Sequence, residues 1–107
     1  MKLIGLDEPI VNFEKEAIKS KDEKGNVTPI SRRTALLNCL GSMKTENGKE
    51  AIEVFKLGSA IAEKTETDKA TGISAENLIL LKKAVEQNKP EYFTMIQGQL
   101  LEYLNGV

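Results

Sequence analysis

Ala17-Ile18-Lys19-Ser20-Lys21-Asp22-Glu23-Lys24-Gly25-Asn26-Val27-Thr28-Pro29-Ile30-Ser31-Arg32-Arg33-Thr34-Ala35-Leu36-Leu37-Asn38-Cys39-Leu40-Gly41 contains the point at which the chain changes its grammar. Asp22 can open a type I turn, and Gly25 can take the left-handed conformation that a following bulge requires, so residues 17–30 predict a hairpin. Ser31 is a good N-cap, the apolar residues behind it keep helical spacing, and Gly41 is placed to end that helix. The stretch therefore predicts a small N-terminal β-hairpin feeding a mainly α protein. An isolated hairpin is marginal in water, so it must lie against the helices.

Toward the N-terminus, Pro9-Ile10-Val11 reads as an edge strand beside the hairpin, where proline removes no needed ladder bond. Toward the C-terminus, a second helix follows Asn47-Gly48 and runs to about Lys64. Its apolar positions Ile52, Phe55 and Ala62, with Ala51, Val54, Gly58 and Ile61 beside them, predict a broad buried face. Thr65 to Gly72 is polar, has Asp68 and Gly72 as breakers, and reads as an exposed loop. Ser74 caps a third helix whose inward face is Leu78, Leu81 and Val85, widened by Ile79 and Leu80, with Lys82, Lys83 and Glu86 outward. Asn88 and Pro90 mark its end. A fourth helix buries Phe93, Ile96, Leu100 and Leu104 and stops at Asn105-Gly106. The expected architecture is one domain over residues 1–107: a turn-rich segment at 1–30, then a bundle of about four helices at 31–107.

Composition narrows the functional classes. The chain has 107 residues, 40% hydrophobic and 29% charged, which is the profile of an ordinary globule. Fifteen basic residues balance sixteen acidic ones with the signs interspersed, so long-range attraction to nucleic acid or an anionic membrane is weak. The lone cysteine forms no intrachain disulfide, no apolar run of about 18 residues spans a bilayer, and the N-terminus has no secretory signal, so a cytoplasmic location is expected.

The order of pieces resembles a layout found in small uncharacterised proteins of bacteriophages and prophages. It consists of Pro9-Ile10, the hairpin with its Asp22-Glu23-Lys24-Gly25-Asn26 turn, and the Thr34-Ala35-Leu36-Leu37-Asn38-Cys39-Leu40 helix. The Lys49 to Ala62 helix, the Ile73-Ser74-Ala75-Glu76 start and the Gln99-Leu100-Leu101-Glu102-Tyr103-Leu104 ending fit the same plan. The resemblance implies a phage or prophage origin and a host bacterial cytoplasm; it transfers no catalytic residue. The chain departs from that layout at Asn12 to Glu16, where a glycine-containing turn is expected and none is present.

The sequence has no histidine, which removes the commonest general base and metal ligand, and one cysteine cannot build a zinc site. No phosphate-loop, dinucleotide or nucleophile-elbow motif occurs, so neither enzyme activity, metal nor cofactor is expected. Arg32 and Arg33 are the electrostatic oddity. They occupy the first turn of a helix, where the macrodipole disfavours cations. One reading is an anion site built from Ser31, Arg32 and Arg33 with the helix N-terminus assisting. The plainer reading pairs both side chains with Glu14, Glu16 or Asp22. Glu46, Glu50 and Glu53 share a helical face and could be imagined as a cation site, but lysines lie alongside and a solvated face is the simpler account. Cys39 reads as a buried thiol. Gly58 and Gly98 interrupt helices at a cost of about 1 kcal/mol each, which close packing or an approaching partner must offset.

The leading expectation is a non-enzymatic protein-binding module that assists virion assembly or engages a host protein. It rests on small size, absent catalytic motifs and surplus apolar helix face, which also suits a homo-oligomer. Leu57, Tyr92, Met95 and Tyr103 lie off or beside the core stripes and are the candidate interface residues. The alternative is a binder that sequesters a small anionic ligand, such as a nucleotide signal, through Arg32 and Arg33. Direct DNA binding is disfavoured by the long turn from Gly41 to Asn47 and the slight acidity.

Overall fold

The computed structural model describes residues 2–21, 23–63, 71–87 and 93–107. Their elements in chain order are β1 (Lys2–Leu3), β2 (Lys19–Lys21), β3 (Val27–Pro29), α1 (Arg32–Ser42), α2 (Gly48–Ala62), β4 (Thr71–Gly72), α3 (Ala75–Gln87) and α4 (Phe93–Asn105). The protein is mainly helical, with a small β-hairpin ahead of four helices, as the sequence predicts.

The hairpin is the antiparallel pair β2–β3, with Lys19 opposite Pro29 and Lys21 opposite Val27. Gly25 takes φ +84°, the left-handed value the turn requires. The third segment is tied in by the backbones of three isoleucines. Ile10 N–H donates to Ile30 O, Ile30 N–H to Ile18 O, and Ile18 N–H to Ile10 O, each at 2.8 Å. Residues 9–11 thus reach both sides of the hairpin base, through bridges from Pro9 to Ser31 and from Val11 to Ala17. The turn between Val11 and Ala17 forms without glycine. Asn12 Oδ1 accepts from Glu14 N–H and Glu16 N–H, and Lys15 takes φ +68°.

The helices begin where their caps place them. Ser31 accepts from Thr34 N–H, Asn47 from Glu50 N–H and Ser74 from Asn77 N–H. α1 extends one residue beyond Gly41, and α2 ends at Ala62 rather than near Lys64. α1 is central, packing against α2, α3 and α4, and its Leu36 and Cys39 are buried. Leu81 and Val85 of α3, Leu100 and Leu104 of α4, and Leu3, Leu6 and Ile10 of the N-terminal arm complete the core.

Several expectations need correction. Ile79, expected to widen the inward face of α3, is 66% exposed. The buried face of α2 is Val54, Leu57 and Ile61, while Ile52 and Phe55 are 58% and 76% exposed. α2 carries apolar residues on two arcs, and the arc turned toward the core is the one with Leu57. Leu57, 3% exposed, is a core residue and not an interface residue. Gly72 is exposed but does not lie in a loop: with Thr71 it forms β4, which pairs antiparallel with β1. Lys83 does not point away from the protein but reaches Glu46 and Glu50 across the helices, at 3.2 and 3.3 Å. The Asp22 turn position, the 64–70 segment, Asn88, Pro90, Tyr92 and the side chain of Phe93 lie outside the described residues.

Candidate functional site

The start of α1 is closed to anions by its own chain. Arg32 N–H donates to Glu8 O and Arg33 N–H to Leu6 O, while Ser31 takes Thr34 N–H through its hydroxyl and Ala35 N–H through its carbonyl. The donors that a helix N-terminus offers a ligand are therefore occupied by the arm and the cap. The two cations are matched as well, by Glu8 and Asp7 and not by Glu14 or Glu16. Arg32 pairs with Glu8 at 2.7 Å, and Arg33 pairs in forked geometry with both oxygens of Asp7 at 3.2 and 3.3 Å. Glu14 and Glu16 are not partners of either arginine among the described residues.

Arg33 also donates to Ile61 O and Glu63 O, the last carbonyls of α2. The unfavourable dipole at the start of α1 is thus countered by the favourable negative end of α2. Of the proposed set Ser31, Arg32 and Arg33, only Arg32 faces open space. Its guanidinium lies 4.6 Å from the centroid of the Tyr103 ring, and it also donates to Gly5 O. Gly5, at φ +68°, allows this approach: a Cβ there would sit 3.1 Å from Arg32 Nη1.

Arg32 borders a groove of about 730 Å³ between the N-terminal arm and α4. Lys2, Lys15 and Arg32 supply positive charge, Glu102 supplies negative charge, and Phe13, Met95 and Tyr103 supply apolar surface. Phe13 is 81% exposed at the rim. Two side chains fix the walls. Tyr103 donates its hydroxyl to Ile4 O at 2.7 Å, and Gln99 accepts from Val11 N–H while donating to Val11 O, mimicking a strand neighbour. Burial raises the Tyr103 phenol above its ordinary value, against the lowering effect of the Arg32 guanidinium. Gly98 lines this groove, and a Cβ there would meet nothing within 4 Å among the described residues, so close packing against them does not account for it.

A second surface lies on α2. Beside exposed Ile52 and Phe55 runs an open apolar cleft of about 470 Å³ between α1 and α2, whose lining includes Leu37, Leu40, Met43, Val54 and Gly58. A Cβ on Gly58 would make only ordinary contacts with Leu40 and Leu37, at 3.9 and 4.0 Å. Of the acids Glu46, Glu50 and Glu53, the first two are matched by Lys83, whose hydrogen bonds to them hold its ammonium above the usual value. Among the described residues no group of three or more His, Cys, Asp or Glu is placed to hold a metal ion. No helix among them is long and apolar enough to cross a membrane.

The structure thus brings Arg32, Met95 and Tyr103 to one groove, sends Arg33 to α2 and buries Leu57. Sequence reasoning missed Asp7, Glu8 and Gln99. The adjacent acids Asp7-Glu8 and the adjacent bases Arg32-Arg33 were a readable signal of pairing; Gln99 offered none. No protein-family model, curated protein or solved structure matches this chain.

Proposed function

We propose that this chain is a non-enzymatic protein-binding module, encoded by a phage or prophage, that acts in the host bacterial cytoplasm in virion assembly or on a host protein. The observation that carries the binding reading is the outward face of α2. Ile52 and Phe55, one helical turn apart, remain 58% and 76% exposed beside an apolar cleft. Covering an isoleucine or phenylalanine side chain gains about 1.5–3 kcal/mol, so this pair is a ready anchor for an interface. The non-enzymatic part rests on the absence of histidine and of catalytic motifs. The phage origin rests on the resemblance of the hairpin-and-helix layout.

The test is affinity capture with wild type and Phe55→Asp as baits. Proteins retained by wild type, including the chain itself, are lost from the variant at unchanged circular dichroism. Identical retained sets would remove α2 from the account.

The groove beside α4 favours a second reading, a binder of a small anion with an aromatic or apolar part, because Lys2, Lys15 and Arg32 converge there with Phe13 and Tyr103. Thermal-shift screening with nucleotides tests it: a shift in wild type that Lys15→Ala and Arg32→Ala both reduce supports the reading, and no shift with any nucleotide retires it.

A further inference from the structure

We infer that the groove between the N-terminal arm and α4 is a docking trough for a short extended segment of a partner protein, one that carries an aromatic side chain and an acid. The inference rests on the protein-binding reading and gives it a second contact, built from α4 and the arm instead of α2.

The α4 wall is a single helical face. At about 100° per residue, Thr94, Gly98, Glu102, Met95, Gln99 and Tyr103 follow one another around half of the helix, and the buried Ile96, Leu100 and Leu104 fall in the other half. Gln99 and Tyr103, at one edge of the arc, are bonded to Val11 and Ile4 of the arm. Thr94, Gly98 and Glu102, toward the other edge, are exposed, so the trough is open along its side. From Thr94 to Tyr103 it runs about 14 Å, the span of about four residues of extended chain. A small molecule in such a trough stays largely in water, whereas a passing segment uses its whole length. Gln99 takes both the N–H and the C=O of Val11, so the arm offers no strand edge there and the segment is held through its side chains.

Gly98 supplies the apolar slot. It lies between Met95 and Glu102, about one turn away on either side, and a Cβ on it would meet no described atom within 4 Å. Mid-helix glycine is unfavourable relative to alanine, and packing within the described chain does not offset this. A flat ring laid on the bare backbone at Gly98 meets the Met95 thioether, and Phe13, 81% exposed on the arm wall, supplies further aromatic surface.

Charge sets the rest of the partner's chemistry. Lys2 and Lys15 line the trough, and neither enters an ion pair among the described residues. Arg32 has Glu8, and Glu102 is an acid in the same lining. The positive surplus is therefore small, which fits a segment with an acidic side chain better than a polyphosphate.

Selection of random heptapeptides on immobilised wild type tests the inference. The enriched peptides are expected to share an aromatic residue and an Asp or Glu. By fluorescence anisotropy, binding of an enriched peptide weakens about ten-fold in Lys15→Glu and is unchanged in Lys49→Glu, a charge reversal on exposed α2 surface. Gly98→Leu fills the slot and also weakens binding about ten-fold, while its melting temperature is no lower than that of wild type, an outcome that separates docking from folding. A selection that enriches nothing, or peptides without the shared acid and aromatic, overturns the inference. So does binding that Lys15→Glu and Gly98→Leu leave intact. A thermal shift with nucleotides in the absence of any enriched peptide also overturns it, in favour of the small-anion reading. Protein capture that depends on Phe55 and not on Lys15 overturns the trough and leaves the protein-binding reading standing; capture that depends on neither removes both.

Discussion

At Arg33 one guanidinium closes three parts of the chain: it is forked on Asp7 and caps the final carbonyls of α2 while standing in the first turn of α1. Its side chain is only 11% exposed. Truncation leaves those carbonyls short of a donor, and the paired Asp7, 58% exposed, contributes little by itself. Arg33→Ala should lower the unfolding free energy by about 2–3 kcal/mol in urea titrations, and Arg33→Lys, which lacks the fork, should recover less than half of that. Tyr103 adds a pH dependence. Its phenol lies above the ordinary value of 10.0 in the folded protein, so the folded state keeps this proton longer than the unfolded chain. Its contribution is present below pH 10.0 and is lost as pH rises through the folded value. Lys83, also raised, acts in the same direction. Tyr103→Phe should cost about 1 kcal/mol at neutral pH, through the lost bond to Ile4 O, and should flatten the decline in urea midpoint between roughly pH 9 and 11.

Among the elements, the turn from Asn12 to Glu16 works without the glycine its geometry favours. Asn12 holds it through two backbone N–H groups, and Lys15 occupies the left-handed region at φ +68°. That conformation costs a side-chain-bearing residue about 1–2 kcal/mol, and glycine brings back part of this as chain entropy in the unfolded state. Lys15→Gly should therefore stabilise the protein by about 0.5 kcal/mol, raising the melting temperature by roughly 2–4 °C. Elements whose signals are local were legible in advance. The Gly25 turn, the caps at Ser31 and Asn47 and the helical spacing of Leu78, Leu81 and Val85 in α3 and of Ile96, Leu100 and Leu104 in α4 all depend on neighbours within one or two turns. The burial of α2 was not, because helical spacing fits both its arcs and only the position of α1 selects Leu57 over Phe55. The partners of Arg32 and Arg33 were misread for a related reason. Hairpin acids are nearer in sequence, yet the arm places Asp7 and Glu8 over the start of α1 through backbone bonds from residues 32 and 33.

For the molecule as a whole, the pairings that sequence patterns carry least are the long-range ones: β1 with β4, Val11 with Gln99, and Ile4 with Tyr103. They wrap the N-terminal arm around the helices and form the groove beside α4. That wrapping consumes the apolar surface of the arm through Leu3, Leu6 and Ile10, but it leaves α2 with Ile52 and Phe55 facing outward. Nothing else among the described residues covers them, and an uncovered pair of this size beside an apolar cleft marks a contact surface. The measurement that bears on this most directly is affinity capture by wild type and by Ile52→Asp/Phe55→Asp as baits, with circular dichroism to verify folding. The account predicts that wild type retains proteins, further copies of the chain among them, that the folded double variant loses. A wild type whose retained proteins are indistinguishable from those of the folded variant would contradict it.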